Sequence, residues 1–396
     1  MRYRKRIFPV ILVLFFLMIA CQFFSIKIVA QPIIVTATAH FTPIVKPTQI
    51  TRYAIQPPPF PLIQLAWFSK PPSGVSSLDF IANNFNFFIL TKLDETERDY
   101  LRAYGKGIDP LQYILSEGIE NPGSCSAQPY HNQVADEVGD FCNISQQYPG
   151  WFLLDRFGQR IIMGNTVTMD PGNQGWQTYF MNWIRQSHEN LGWNGVFLDN
   201  VGVSLNIITK QSNGPVSYVD DASYQSAVEG FLKFLYTNYF QPQKLLLMAN
   251  IISLDDPKVF LRYLNFLDGA MIEAFAVDWQ NGYLSIDEWE QQMEMFTQAQ
   301  SMGKWVILVA QGKHLDLNRQ QFSFASYLLI NKGKATFRYA HSAAYNEIWF
   351  YDNYGVNLGL PLGPRYQEGN FWRRDFANGF VLVDPQNHTS QIELNK

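Results

Sequence analysis

Between residues 61 and 345 the chain alternates short apolar runs with longer stretches of helical periodicity, and it does so eight times. The runs fall at 62–68, 87–91, 111–116, 195–201, 245–249, 268–275, 305–310 and 335–339. Near-continuous apolar runs suit strands buried on both faces, and helices between them supply the crossovers that parallel pairing needs. Helical patterns at 94–104, 175–190, 220–239, 286–302 and 319–331, and a helix opening at Asp256-Pro257, separate them; there Asp caps the free amides and Pro suits the first turn. Eight such units over about 280 residues predict an α/β fold, a (β/α)8 TIM barrel. The rival is an open doubly wound sheet, which would carry a glycine-rich phosphate turn after its first strand. Ser69-Lys70-Pro71-Pro72 stands there instead.

The flanks read differently. Arg2, Arg4, Lys5 and Arg6 precede an apolar run over 7–26, so residues 1–30 are a signal peptide or a membrane or lipid anchor. Three versions stay open: a cleaved signal, a lipoprotein signal with Cys21 as the lipidated residue, and an uncleaved anchor. Each places the remainder outside the cytoplasm and confines membrane contact to this segment. Residues 31–60, rich in Thr and Pro, read as an extended linker. The barrel is expected over 61–345. Residues 346–396 follow as a loop and a short C-terminal antiparallel β appendage, a hairpin turning at Asn378-Gly379. Cys125 and Cys142 either close a disulfide loop in an oxidising compartment or remain two buried thiols.

Functional candidates come from where the strands stop. In Gly195-Val196-Phe197-Leu198-Asp199-Asn200 a buried run ends on a carboxylate and an amide, and Ala270-Met271-Ile272-Glu273 repeats the pattern. Ligands of α/β barrels bind at the strands' C-terminal ends. Two acids delivered there are the minimum equipment for glycoside hydrolysis, with Asp199 as nucleophile or stabilising carboxylate and Glu273 as general acid. The same mouth is expected to carry Trp67, Lys92, Asn200, Asn250, Trp279, Gln311, Arg338 and Tyr339 as substrate-binding candidates. Each has a bland reading beside it: Trp67 and Trp279 as packed surface, Asn250 as a partner of backbone, Arg338 as the ion partner of either acid. Asp170, in Asp-Pro-Gly-Asn, is a further candidate whose setting equally suits a turn or helix cap. Trp193 precedes strand four, at the opposite mouth, and reads as structural.

Three motifs together resemble a known group: Trp151-Phe152-Leu153-Leu154-Asp155, Met169-Asp170-Pro171-Gly172-Asn173 and Gly195-Val196-Phe197-Leu198-Asp199-Asn200. They are similar to those of hypothetical glycosyl hydrolase family fifteen, itself akin to α-galactosidase-type and polygalactosaminidase-type barrels. The segment from Arg373 to Pro385 resembles that group's closing β segment, with Asn194 and Asp384 as departures from its usual residues. The resemblance implies hydrolysis of glycosidic bonds in a poly- or oligosaccharide by acids from strands four and six.

Other chemistries lack their motifs. The 6 histidines show no His-Glu-x-x-His spacing, and neither a Gly-x-Ser-x-Gly elbow nor a phosphate loop occurs, so no metal and no cofactor is expected. A formal charge of −4 without a basic stripe excludes nucleic acid as the natural partner. A monomeric extracytoplasmic glycosidase is therefore expected. The alternative is a catalytically silent barrel that binds glycan through the same aromatic mouth.

Overall fold

The structure, a computed structural model, describes residues 63–395 apart from Ser73, Ser212, Ser253, Asp255 and Asn281. The segments expected to form an N-terminal signal or anchor and a linker, with Cys21, lie outside the described residues. Eight parallel strands pair in chain order: β1 (Ala66–Phe68), β2 (Phe87–Leu90), β3 (Leu111–Leu115), β4 (Gly195–Gly202), β5 (Leu246–Ile252), β6 (Gly269–Ile272), β7 (Trp305–Gln311) and β8 (Ala335–Ala340). A parallel bridge between Leu65 and Phe337 joins the last strand to the first, with the Phe337 amide donating to the Gln64 carbonyl at 2.9 Å. The chain thus folds as a (β/α)8 barrel, with helices between the strands and an antiparallel sheet at its C-terminus.

Alternation along each strand sorts the core into two layers. Ala66, Phe68, Phe87, Ile89, Leu111, Phe197, Met248, Met271, Trp305, Ile307 and Val309 fill the barrel axis. Trp67, Phe88, Val196, Leu198, Phe337 and Tyr339 belong to the cluster between strands and helices. This parity corrects the placement of two candidates. Trp67 is 0% exposed on the outer face of β1, its indole donating to the Ser69 carbonyl. Tyr339 is buried on the outer face of β8, its hydroxyl donating to the Lys313 carbonyl at 3.2 Å. Both stand next to an inward-facing neighbour, so strand ends alone name the wrong residue.

Several elements carry too little periodicity to stand out in the sequence. The helix Val75–Asn84 follows β1 without a side-chain cap. The segment between β3 and β4 contains a three-stranded antiparallel sheet (Gly118–Glu120, Ile162–Met163, Thr166–Thr168) and the helix Asp140–Gln147. There Cys125 and Cys142 are joined by a disulfide, with Cα atoms 5.6 Å apart. Trp193, buried below β4, lies under the Arg98 guanidinium at 4.8 Å. The C-terminal appendage is a four-stranded sheet (Tyr366–Glu368, Phe371–Phe376, Gly379–Asp384, Thr389–Leu394) rather than a single hairpin. Gly379 opens its third strand because a Cβ there would meet the Glu393 carbonyl oxygen at 1.9 Å.

Candidate active site

Alternation also builds the site. Two residues beyond the last apolar side chain pointing to the axis, β3 presents Tyr113, β4 Asp199, β5 Asn250 and β7 Gln311, while Glu273 follows directly on β6. These positions share one face and one height of the barrel, so their polar groups meet. Tyr113 donates its hydroxyl to Asp199 Oδ2. Asn250 Nδ2 donates to Asp199 Oδ1 at 3.0 Å and to Glu273 Oε2 at 2.9 Å. Tyr345, from the loop after β8, donates to Glu273 Oε1 at 2.7 Å and accepts from Gln311 Nε2 at 2.6 Å. The result is a continuous belt: tyrosine, aspartate, asparagine, glutamate, tyrosine, glutamine. Leaving any one of these buried groups unpaired would cost about 1–3 kcal/mol, which is the physical reason they interlock.

A bulge holds the aspartate's place at the end of the regular pairing. Leu198 pairs with Ala249 and Val201 with Ile251, so Asp199 and Asn200 together stand opposite Asn250. The extra residue is Asn200, held at φ 58°, a left-handed conformation that asparagine tolerates better than most residues. Its side chain turns away from the axis and donates to Glu117 Oε1 at 3.0 Å. Ser116 binds the other side of the bulge, its hydroxyl donating to the Asp199 carbonyl at 2.6 Å.

Burial acts on both glutamates. Desolvation raises the Glu273 carboxyl above the usual range; the Tyr345 and Asn250 hydrogen bonds oppose this, and the nearby Asp199 charge adds to it. Glu117 is pushed up to about 7, again chiefly by burial, with the Asn200 hydrogen bond opposing.

The remaining candidates separate clearly. Arg338 pairs with neither acid: it is buried, donates to the Phe68 carbonyl at 3.0 Å and to the Tyr345 carbonyl, and lies 4.4 Å from the Trp67 ring centre. Burial lowers its guanidinium to about 9, still protonated at neutral pH. Lys92 is ion-paired with Asp136 outside the belt. Asp170 closes a turn, accepting from the Gly172 amide at 2.9 Å and from the Tyr218 hydroxyl, while Asn173 caps the following helix. Trp279 is 48% exposed and helps line a cavity of about 650 Å³ that opens beside Glu273 and Asn250. Three residues escaped the sequence: Tyr113, Glu117 and Tyr345. Glu117 had a detectable signal, since β3 also runs into an acid, one residue beyond Ser116.

The arrangement brings an aspartate that accepts from two donors close to a second carboxyl whose pKa burial raises, with a cavity opening beside them. Among the described residues no group of three His, Cys, Asp or Glu could hold a metal ion.

The family model described as Hypothetical glycosyl hydrolase family 15 matches residues 120–380, a span that includes Asp199, Asn250, Glu273 and Tyr345. No curated protein sequence matches the chain. Among solved structures the chain is similar to the glycoside hydrolase domain of PelA from Pseudomonas aeruginosa, with 13% identity and a TM-score of 0.49, covering 72% of this chain and 96% of that one. It is also similar to a maltogenic alpha-amylase, AmyB, from Thermotoga neapolitana, with 12% identity and a TM-score of 0.47, covering 82% and 86%. A third similarity is to the trehalose-6-phosphate hydrolase of Bacillus licheniformis, with 10% identity and a TM-score of 0.46, covering 69% and 64%.

Proposed function

The chain belongs to hypothetical glycosyl hydrolase family 15, and from that premise we propose that it cleaves its glycan with retention of anomeric configuration, Asp199 acting as nucleophile and Glu273 as acid and base. One observation carries this reading: a single nitrogen, Asn250 Nδ2, bonds both carboxylates. Its two hydrogens diverge by about 120°, which sets the facing oxygens about 5 Å apart. That oxygen–oxygen spacing supports the ~5–5.5 Å carboxyl separation of retaining enzymes over the ~6.5–9.5 Å that admits an intervening water in inverting ones.

The chemistry then runs as a double displacement. Glu273 gives its proton to the glycosidic oxygen as the Asp199 carboxylate bonds to the anomeric carbon and the carbon–oxygen bond breaks. Glu273, now ionised, takes a proton from water. That water attacks the glycosyl ester, releasing the sugar and restoring both acids. Tyr113 and Asn250 keep Asp199 aligned, while burial keeps Glu273 ready to donate. The substrate is a poly- or oligosaccharide. We place the enzyme outside the cytoplasm, because the Cys125–Cys142 disulfide suits an oxidising compartment and the basic, apolar N-terminus suits export.

Reducing-end release from a panel of polysaccharides, with the product anomer followed by NMR before mutarotation, tests this. Glu273→Gln is expected to lower kcat/KM by about 10²–10⁴-fold and Asp199→Asn at least as much. The first product should keep the configuration of the cleaved bond. Undiminished hydrolysis in both variants, or an inverted product, would sink the assignment.

A further inference from the structure

The cavity of about 650 Å³ is bordered by two members of the belt, Glu273 and Asn250, while its other lining residues lie outside the belt and have no part in the double displacement. Its size is that of a ligand pocket, for which ~300–1,000 Å³ is usual. Its walls come from the ends of β5 and β6, the start of the helix Pro257–Tyr263 and one flank of the helix Ile286–Ser301. We propose that this cavity is the leaving-group subsite and that it takes a pyranose bearing no acidic group, with Trp279 beneath the ring's apolar face. The proposal rests on Glu273 being the acid, and it adds which side of the scissile bond lies here and what kind of sugar fits.

Direction comes from which acid lines the space. Glu273 and Asn250 border it, whereas neither Asp199 nor Tyr113 does. The group bonded to the oxygen that Glu273 protonates must extend on Glu273's side of that bond. The sugar attacked at its anomeric carbon lies toward Asp199.

Chemistry comes from the lining. Ile252, Leu254, Leu284 and Met295 supply apolar wall, while the polar contributions are carboxylates and carboxamides. No lysine, arginine or histidine is among the described residues lining it. The carboxylates and carboxamide oxygens on this wall suit a ligand group that donates, such as a hydroxyl or amide N–H. A uronate, sulfate or phosphate would bring negative charge against acceptors with no cation to offset it, and desolvation would make that costly.

Trp279 is held ready for this role. Asp278 Oδ1 accepts from the amides of Gln280 and Gly282, each at 2.8 Å. The buried Arg319 donates to the Asp278 carbonyl at 2.9 Å and to the Gln311 carbonyl at 2.6 Å, tying the Trp279 loop to the end of β7. Gln292 fixes the start of the same loop by accepting from the Ala276 amide at 3.0 Å and donating to the Ala274 carbonyl at 2.9 Å. A half-exposed indole on an anchored loop loses little further entropy when a sugar settles on it.

Isothermal titration of the full chain carrying Asp199→Asn, with hexamers of cello-, malto-, xylo-, manno- and chito-oligosaccharides against oligogalacturonate of equal length, tests the proposal. At least one uncharged hexamer should bind saturably, with oligogalacturonate at least about tenfold weaker. Trp279→Ala should weaken the uncharged ligand about tenfold and Trp279→Phe much less, as stacking on a flat ring predicts. Gln291→Arg, at an exposed position on the cavity wall, should bring oligogalacturonate binding up. Binding of oligogalacturonate as tight as the best uncharged hexamer, no uncharged ligand binding, or no effect of Trp279→Ala overturns the subsite. Activity of Glu273→Gln is read separately. If that variant stays active while the Trp279 effect persists, the acid assignment falls and the sugar site stands. If Glu273→Gln is inactive and Trp279→Ala is silent, the subsite alone falls.

Discussion

A carboxyl that must donate a proton near neutral pH needs its neutral form favoured, and Glu273 is governed by opposing influences. Burial raises its pKa, and the Asp199 charge pushes the same way; the Tyr345 hydroxyl and the Asn250 amide favour the ionised form. Under the proposed roles the alkaline limb of kcat/KM belongs to Glu273, because activity is lost as pH rises through its folded pKa. Tyr345→Phe removes a donor to the carboxylate, so the charged form loses support and the pKa moves further up. The alkaline limb should therefore shift to higher pH in Tyr345→Phe, while Gln311 loses its acceptor at a stability cost of about 1–3 kcal/mol. A limb that stays put or moves down, measured across a pH series on the best polysaccharide, would mean that Glu273 is not the titrating acid. Glu117, pushed up to about 7, makes a useful contrast, since its partner is Asn200 and not Tyr345.

At the scale of the element, the decisive device is the β4 bulge. A regular strand would already turn Asp199 to the axis and Asn200 to the helices; the extra residue keeps both opposite Asn250 and returns Val201 to the helix side, so that the strand continues beyond the acid. Holding Asn200 at φ 58° is a cost of order 1–3 kcal/mol for a residue that resists the left-handed region. Asn200→Gly keeps that backbone and loses only the Glu117 bond, whereas Asn200→Val opposes the conformation itself. Asn200→Val should therefore lose at least about tenfold more kcat/KM than Asn200→Gly and melt lower. Equal behaviour of the two would show that the bulge does not hold Asp199 in position. This also marks what sequence can carry. The eight strands and the two acids are local patterns, so they were legible from runs such as Val196-Phe197-Leu198 followed by Asp199. Which residue of a strand end faces the axis depends on parity, and Trp67 and Tyr339 fell on the wrong side of it. The bulge, Tyr345's reach to Glu273 and the small sheet before Asp170 arise from register between distant segments, which no single run records.

At the scale of the whole molecule, the C-terminal sheet reads from sequence as an appendage, yet its contacts make it part of the barrel's support. Arg374, from its second strand, is 5% exposed and donates to the carbonyls of Leu328 and Asn331 at 2.9 and 2.8 Å. Those carbonyls end the helix Leu317–Ile330, where a cation also meets the negative end of the helix dipole. Burial lowers the guanidinium to about 10, so it remains charged at neutral pH. The other end of the same helix carries Arg319, which holds the Trp279 loop and the end of β7. A single helix thus joins the C-terminal sheet to the mouth. Arg374→Met keeps the aliphatic bulk but leaves buried carbonyls unpaired, costing roughly 3 kcal/mol, or about 5 °C in Tm for a chain of this size. If the sheet and barrel are one cooperative unit, calorimetry should show a single transition moved down as a whole. Two transitions, with the larger unmoved, would make the sheet an independent module and detach it from any role in setting the mouth.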